Sequence, residues 1–302
     1  MSVLPPRLVL VSRPTELDGL LAAHATMGQV EFFLDRRGEA LAPVEARHAR
    51  QVDTLRRARE AAPADWSVAQ VMRNDLDRFN FAARDIVVAV GQDGLVANIA
   101  KYLSGQSVIG VPTDPDRNVG VLTRSPVGRL PALLRAAAHS EARLERRTMA
   151  RAELSDGQSL LALNEIFIGH RSHQSARYMI RHAGTEERHS SSGLIVSTGT
   201  GMTGWARSIM AASGVETDGG APGPSERALQ FFAREPWPSD FTGTELRAGR
   251  VEPQRPLSVT SRQNSGGVVF ADGIESDFLA FNWGVSVSVT PARQTLNLVA
   301  ES

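Results

Sequence analysis

Residues 85–94 read D-I-V-V-A-V-G-Q-D-G, and no other segment restricts the fold as much. The run from Ile86 to Val90 is wholly apolar and rich in β-branched side chains, as suits a parallel strand covered on both faces. Helical spacing resumes at once through Leu95, Ile99 and Leu103. The loop Gly91-Gln92-Asp93-Gly94 therefore lies between the carboxyl end of a strand and the amino end of a helix. Open α/β sheets bind ligands at that place. Its glycines let backbone N–H groups approach phosphate oxygens, and the helix dipole favours the same charge. The segment also reads as a tight βα turn in which Asp93 only caps the helix.

The flanking sequence continues the alternation. Residues 7–12 read as an opening strand, 15–26 as a helix begun by a threonine cap, and 29–34 as an extended piece. Residues 46–61 carry Arg47, Arg50, Arg56, Arg57 and Arg59 among alanines, with Val52 and Leu55 available for a buried stripe. Such a helix usually presents a solvated face, although its arginines also suit an anion. Residues 107–111 form the next strand, ahead of a polar loop at 112–120. The expectation is a doubly wound, Rossmann-like α/β domain over residues 1–125. After a short helix at 130–140, strand-like runs dominate at 160–168, 175–180, 193–197, 257–260, 268–270 and 285–289, separated by loops at 214–225 and 233–243. A mostly β domain is expected over residues 126–302.

Composition narrows the chemistry. With 302 residues the chain suits two domains at roughly 150 residues each. Formal net charge is zero and no long basic block occurs, so nucleic acid and anionic membrane are poor partners. The absence of cysteine excludes disulfides, thiol nucleophiles and thiolate metal sites. The only lysine, Lys101, precedes Tyr102, so a G-K-[ST] phosphate loop cannot form. No stretch has membrane-spanning length and no leader pattern appears, so the expected location is cytoplasmic. His170 and His173 lack a carboxylate at ligand spacing and read as a surface pair; no metal ligands are assigned.

Three further segments bear on the Asp93 loop. In A-L-N-E-I-F-I, residues 162–168, Asn164 and Glu165 interrupt an apolar strand. Adjacent strand residues face opposite ways, and a buried amide or carboxylate needs partners. A purine edge or ribose hydroxyls would serve, as would protein backbone. Residues 197–204, S-T-G-T-G-M-T-G, carry no charge but are dense in hydroxyls and glycines. They suit a dinucleotide or phosphate lying across a loop, or a flexible turn. In T-D-P-D-R-N-V-G, residues 113–120, Arg117 is placed to meet a phosphate, unless the segment is simply an Asp-Pro turn.

Taken in order, these segments resemble the NAD kinase family over about the last two thirds of the chain. The family's G-G-D-G loop corresponds to Gly91-Gln92-Asp93-Gly94, its Asn-Asp or Asn-Glu pair to Asn164-Glu165, and its D-G-L-I-x-S-T-P-T-G-S-T-A-Y signature to residues 192–205. A later D-G matches Asp272-Gly273. The S-T-G-T-G version and the D-P-x-R loop look closer to the mitochondrial-type branch. The resemblance implies phosphoryl transfer from ATP with Mg2+, or from polyphosphate, to the adenosine-ribose 2′-hydroxyl of NAD, giving NADP. Asp93 would accept the hydroxyl proton. Gly91, Gln92, Gly94, Arg117, Thr198, Gly199, Thr200 and Gly201 would face the phosphates, and Asn164, Glu165, Thr203, Gly204, Trp205 and Ser208 would hold NAD. It further implies an NAD kinase-type β domain and a homo-oligomer, dimer or tetramer. Departures from the family pattern are Gln92 for glycine, Leu95 for threonine, Ser192 for aspartate, Gly199 for proline, Met202 for a hydroxyl, Gly204 for alanine and Trp205 for tyrosine. The alternatives are an NAD(H)-binding protein without phosphoryl transfer, and a kinase of a sugar or lipid hydroxyl.

Overall fold

The structure, a computed structural model, describes residues 5–114, 120–215 and 219–300. The chain forms two compact units, residues 1–145 with 297–302, and residues 146–296. The first contains β1 (Leu8–Ser12), α1 (Glu16–His24), α2 (Met27–Asp35), α3 (Leu41–Glu60), β2 (Val68–Met72), β3 (Ile86–Gly91), α4 (Asp93–Ala100), β4 (Ser107–Pro112) and α5 (Leu130–Ala138). The strands run parallel in the order β2-β1-β3-β4. Every residue of β3 is buried, as its apolar run requires. One face packs Leu10, Val88 and Ile109 against Ala58 of α3 and Leu130 and Leu134 of α5. By strand alternation Val9, Val11, Val87 and Ala89 line the opposite face, and α4 contacts β3 and β4. Because β2 and β3 flank β1 on opposite sides, the direction of winding reverses between β1 and β3. Parallel sheets open a crevice at such a reversal, beyond the strands' carboxyl ends.

Local signals explain the helices, with two corrections. Thr15 caps α1 in a reciprocal capping box with Asp18. Residues 29–34, expected to be extended, lie inside α2: Thr26 accepts from the Gln29 N–H, and Val30 and Leu34, one helical turn apart, bury against Leu17 and Val44. That burial outweighs the strand-like composition of the segment. On α3 the buried stripe is Val44, Leu55 and Ala58, whereas Val52 is 49% exposed.

The second unit is mostly β, with β5 (Leu144–Leu154) entering it from the first. It continues with β6 (Ser159–Ala162), β7 (Glu165–His170), β8 (Ala176–His182), β9 (Thr185–Ser191), β10 (Leu194–Thr198), α6 (Trp205–Ser213), β11 (Leu229–Ala233), β12 (Ala248–Val251), β13 (Leu257–Ser261), β14 (Gly267–Ala271), β15 (Leu279–Ala280) and β16 (Ser286–Val299). One sheet is antiparallel throughout in the order β12-β11-β10-β7-β14-β15. In the other, β16, β13, β8 and β9 pair in turn, β5 pairs with β16, and β6 pairs with β5. The core between these sheets holds Ile166, Ile168, Leu194, Val196 and Phe231 from one, and Tyr178, Ile180, Val259 and Val287 from the other. The last residues of β16 belong to the first unit, where Asn297 and Leu298 pair in parallel with β4. The single strand expected at 160–168 is broken into β6 and β7 at residues 163–164. The amides of 163–165 turn to the Asp272 carboxylate there.

Candidate active site

In the first unit, Gln92 immediately precedes α4 with φ −105° and ψ 165°, an ordinary extended conformation that does not require glycine. Its side-chain Oε1 accepts from Arg13 Nη2 at 2.6 Å. Asp93 is the first residue of α4, yet its carboxylate does not cap that helix. Oδ2 accepts from the Val121 amide at 2.6 Å. Oδ1 accepts from the amides of Leu122 and Thr123 and from the Thr123 hydroxyl, at 3.1, 2.8 and 2.8 Å. The acid therefore organises residues 121–123. A β-carbon on Gly120 would lie 2.2 Å from Asp93 Oδ1, so only glycine fits beside the carboxylate. Gly91 is buried and Gly94 exposed. Arg117 lies outside the described residues.

Beside Gly91 and Gln92 is a cavity of about 690 Å³, bordered by Arg13 from the end of β1, Arg47, His48 and Gln51 from α3, and Thr113 and Asp114 from the end of β4. Side chains of α3, read from sequence as a solvated face, thus border the same cavity as the loop. Arg47 pairs with Glu16 at 2.5 Å and Arg50 with Asp114 at 3.1 Å.

In the second unit, Asp272 follows β14 with φ 51° and accepts from the amides of Leu163, Asn164 and Glu165 at 2.9, 2.7 and 3.2 Å. This clamp fixes the Asn164-Glu165 pair at the start of β7. Ile166 and Ile168 point into the core, so Glu165 and Phe167 share the outer face; Ser197 sits opposite Glu165 in the register with β10. Burial, followed by the negative charge of Asp272, pushes the Glu165 carboxyl up to about 7.

Residues 198–201 form the support beneath this face, and all four are buried. The Thr198 hydroxyl donates to the Leu163 carbonyl at 2.5 Å and accepts from the Gly201 amide at 3.2 Å. A β-carbon on Gly199 would stand 2.1 Å from the Gly223 carbonyl oxygen, and one on Gly201 would stand 2.1 Å from that of Asn164. Thr203, Gly204, Trp205 and Ser208 are exposed where α6 begins. The Trp205 indole stacks on Phe167 at 6.1 Å between centroids, with the Arg234 guanidinium 5.0 Å from its own centroid. Phe167 stacks in turn on Phe270 at 4.7 Å.

These aromatic rings, with Arg234, Ser192 and Glu275, border a second cavity of about 700 Å³, which His170 and His173 also line. Sequence reasoning did not single out Phe167, Phe270, Arg234 or Arg13. For Phe167 the signal was present, because a residue two places after Glu165 must share its face.

No family model and no curated protein matches the sequence. Among solved structures, the chain is similar to yeast NADH kinase in complex with NADH, with a TM-score of 0.60 and 16% identity over 99% of this chain and 84% of that one. The fold is that of an NAD kinase. A parallel, Rossmann-like sheet and a mostly antiparallel β unit correspond to the two-domain architecture expected from the sequence. At this identity the likeness establishes the fold alone. Among the described residues, no helix is long and apolar enough to cross a membrane.

Proposed function

We propose that the chain is an NAD kinase that forms NADP from NAD, using ATP with Mg2+ or polyphosphate as donor. The observation that carries this reading is the clamped Asn164-Glu165 pair, set in a fold shared with yeast NADH kinase. Adenosine hydroxyl and amino groups are suitable donors to a carboxylate withdrawn from water. Thr203, Gly204, Trp205 and Ser208 close around the dinucleotide, and the rings beside Trp205 offer it a stacking surface. Gly91, Gln92 and Gly94 face the donor phosphates, with Thr198, Gly199, Thr200 and Gly201 shaping the loop on the acceptor side.

In the reaction, the ribose 2′-oxygen attacks the donor's terminal phosphorus. The bond to ADP, or to the shortened polyphosphate, breaks, and the hydroxyl proton passes to Asp93. Asp93 Oδ2 has one amide partner where Oδ1 has three hydrogen bonds, so Oδ2 is the acceptor atom in this reading. Most of the rate gain in such transfers comes from alignment and charge neutralisation. Among the described residues no group of three His, Cys, Asp or Glu could cage a metal. In this reading the ion is held chiefly by substrate phosphates, with Glu16 and Asp114 the carboxylates bordering the cavity. Bound Mg2+ would neutralise phosphate charge. The active form is proposed to be a cytoplasmic homo-oligomer.

The saturation of Asp93 Oδ1 favours a second reading, a dinucleotide-binding protein in which Asp93 only holds residues 121–123. The deciding assay is NADP formation from NAD with purified protein, MgATP or polyphosphate, alongside Asp93→Asn. Turnover by wild type, lost in a folded Asp93→Asn that still binds NAD, supports the kinase. NAD binding without turnover by wild type supports the second reading.

A further inference from the structure

We propose that Arg13, which lies outside the sequence motifs, is the principal contact for the donor's phosphate chain in the cavity beside Gln92, and that Gln92 holds its guanidinium until the anion arrives. The donor's identity rests on the kinase reading; the anion site rests on the following geometry.

The cavity lies at the reversal of the parallel sheet. Arg13 follows β1, Gln92 follows β3, and Thr113 and Asp114 follow β4, so three neighbouring strands deliver their carboxyl-end residues to one crevice. At about 690 Å³ it has ample room for a triphosphate. The charges there are not balanced. Arg47 is paired with Glu16 and Arg50 with Asp114, whereas among the described residues Arg13 makes its side-chain hydrogen bond only to the neutral Gln92 amide. Arg13 is therefore the cation whose charge a ligand would meet.

Its position is built by the fold. Gln51 Nε2 donates to the Arg13 carbonyl at 2.6 Å, and His48 Nδ1 is 2.8 Å from Thr15 Oγ1. The segment after β1 is thus tied to α3 on both sides of Pro14. A phosphate oxygen makes charge-assisted hydrogen bonds to a guanidinium, about twice as strong as those of a neutral amide. An arriving chain would displace Gln92 Oε1 from Arg13. Gln92, which stands where the family has glycine, then acts as a placeholder for the anion.

The test is calorimetric titration of the full chain with inorganic tripolyphosphate, for wild type, Arg13→Ala, Arg13→Lys and Gln92→Gly, with NAD titrated separately into each. Wild type should bind tripolyphosphate, more weakly as salt rises. Arg13→Ala should lose about tenfold or more in affinity, Arg13→Lys should recover part of it, and Gln92→Gly should bind at least as tightly as wild type. NAD affinity should be the same in all four. Absence of tripolyphosphate binding by wild type, or an Arg13→Ala affinity within about twofold of wild type, overturns the proposal. Arg13 is exposed, so the alanine variant should fold, and an unchanged thermal midpoint verifies this. Arg13-dependent binding in a protein that forms no NADP would leave the anion site standing and reject the kinase. NADP formation with Arg13-independent binding would do the reverse.

Discussion

Two aspartates far apart in sequence use one device. Asp93 gathers the amides of residues 121–123, and Asp272 gathers those of 163–165. Each fixes a loop segment through charge-assisted bonds rather than through packing. The residues themselves were legible as motifs, but their partners were not, because the bonded residues lie 28–30 and 107–109 positions away. At Glu165 the consequence is measurable. Burial first, and the Asp272 charge second, place its carboxyl at about 7. Hydroxyl and amino donors of NAD prefer the ionised form, so NAD affinity should rise between about pH 6 and 8, with proton release on binding. Glu165→Gln should flatten that rise, and Asp272→Asn should move it to lower pH. Stability has the opposite sign: the contribution of a raised carboxyl is fully present below about 4.5 and lost as pH rises through about 7. Calorimetry in buffers of different ionisation enthalpy would detect the released proton, and a pH-independent NAD affinity would contradict the assignment.

Among the elements, the sequence was clearest where one physical factor dominates. The β3 run and the Thr15 cap each admit little else. α2 was misread because its aromatic and β-branched residues suit a strand, while its Val30–Leu34 spacing matters only once α1 and α3 supply a surface. β9, T-E-E-R-H-S-S, went unseen because its stability comes from pairing with β8 and from a buried chain of side chains. His189 Nε2 lies 2.6 Å from Glu187 Oε2, and the Tyr178 hydroxyl 2.8 Å from Ser191 Oγ. The loop at 198–201 gives a sharper lesson. Its glycines look like room left for phosphate, but Gly199 is required by the Gly223 carbonyl and Gly201 by that of Asn164. Gly199→Ala should therefore lower stability by about 1–3 kcal/mol through overpacking against backbone. Gly199→Pro, the residue of the family signature, should bring the same collision. A thermal midpoint for Gly199→Ala equal to wild type would show that residues 222–223 yield freely.

For the molecule as a whole, the two units have separate cores and carry different halves of the proposed chemistry, so each substrate should leave its own footprint. A ligand that binds the folded state at about 100 times its Kd adds about 2.7 kcal/mol to global stability, but local opening is suppressed most where the ligand touches. In hydrogen exchange, NAD should slow the amides of residues 203–208 most strongly, all but Ala206 being exposed in the free protein. The amides of 163–165 are already held by Asp272 and should change less. Tripolyphosphate should act on residues 91–94 and on the segment after β1. The 121–123 amides report on Asp93 separately: bonded to its carboxylate in the free protein, they should exchange faster in Asp93→Asn without any ligand. Slowing by NAD confined to the first unit would contradict the assignment of dinucleotide recognition to Asn164, Glu165 and the start of α6. It would do so even in a protein that proved to make NADP, because exchange reports where the dinucleotide is held and the turnover assay reports only that it reacts.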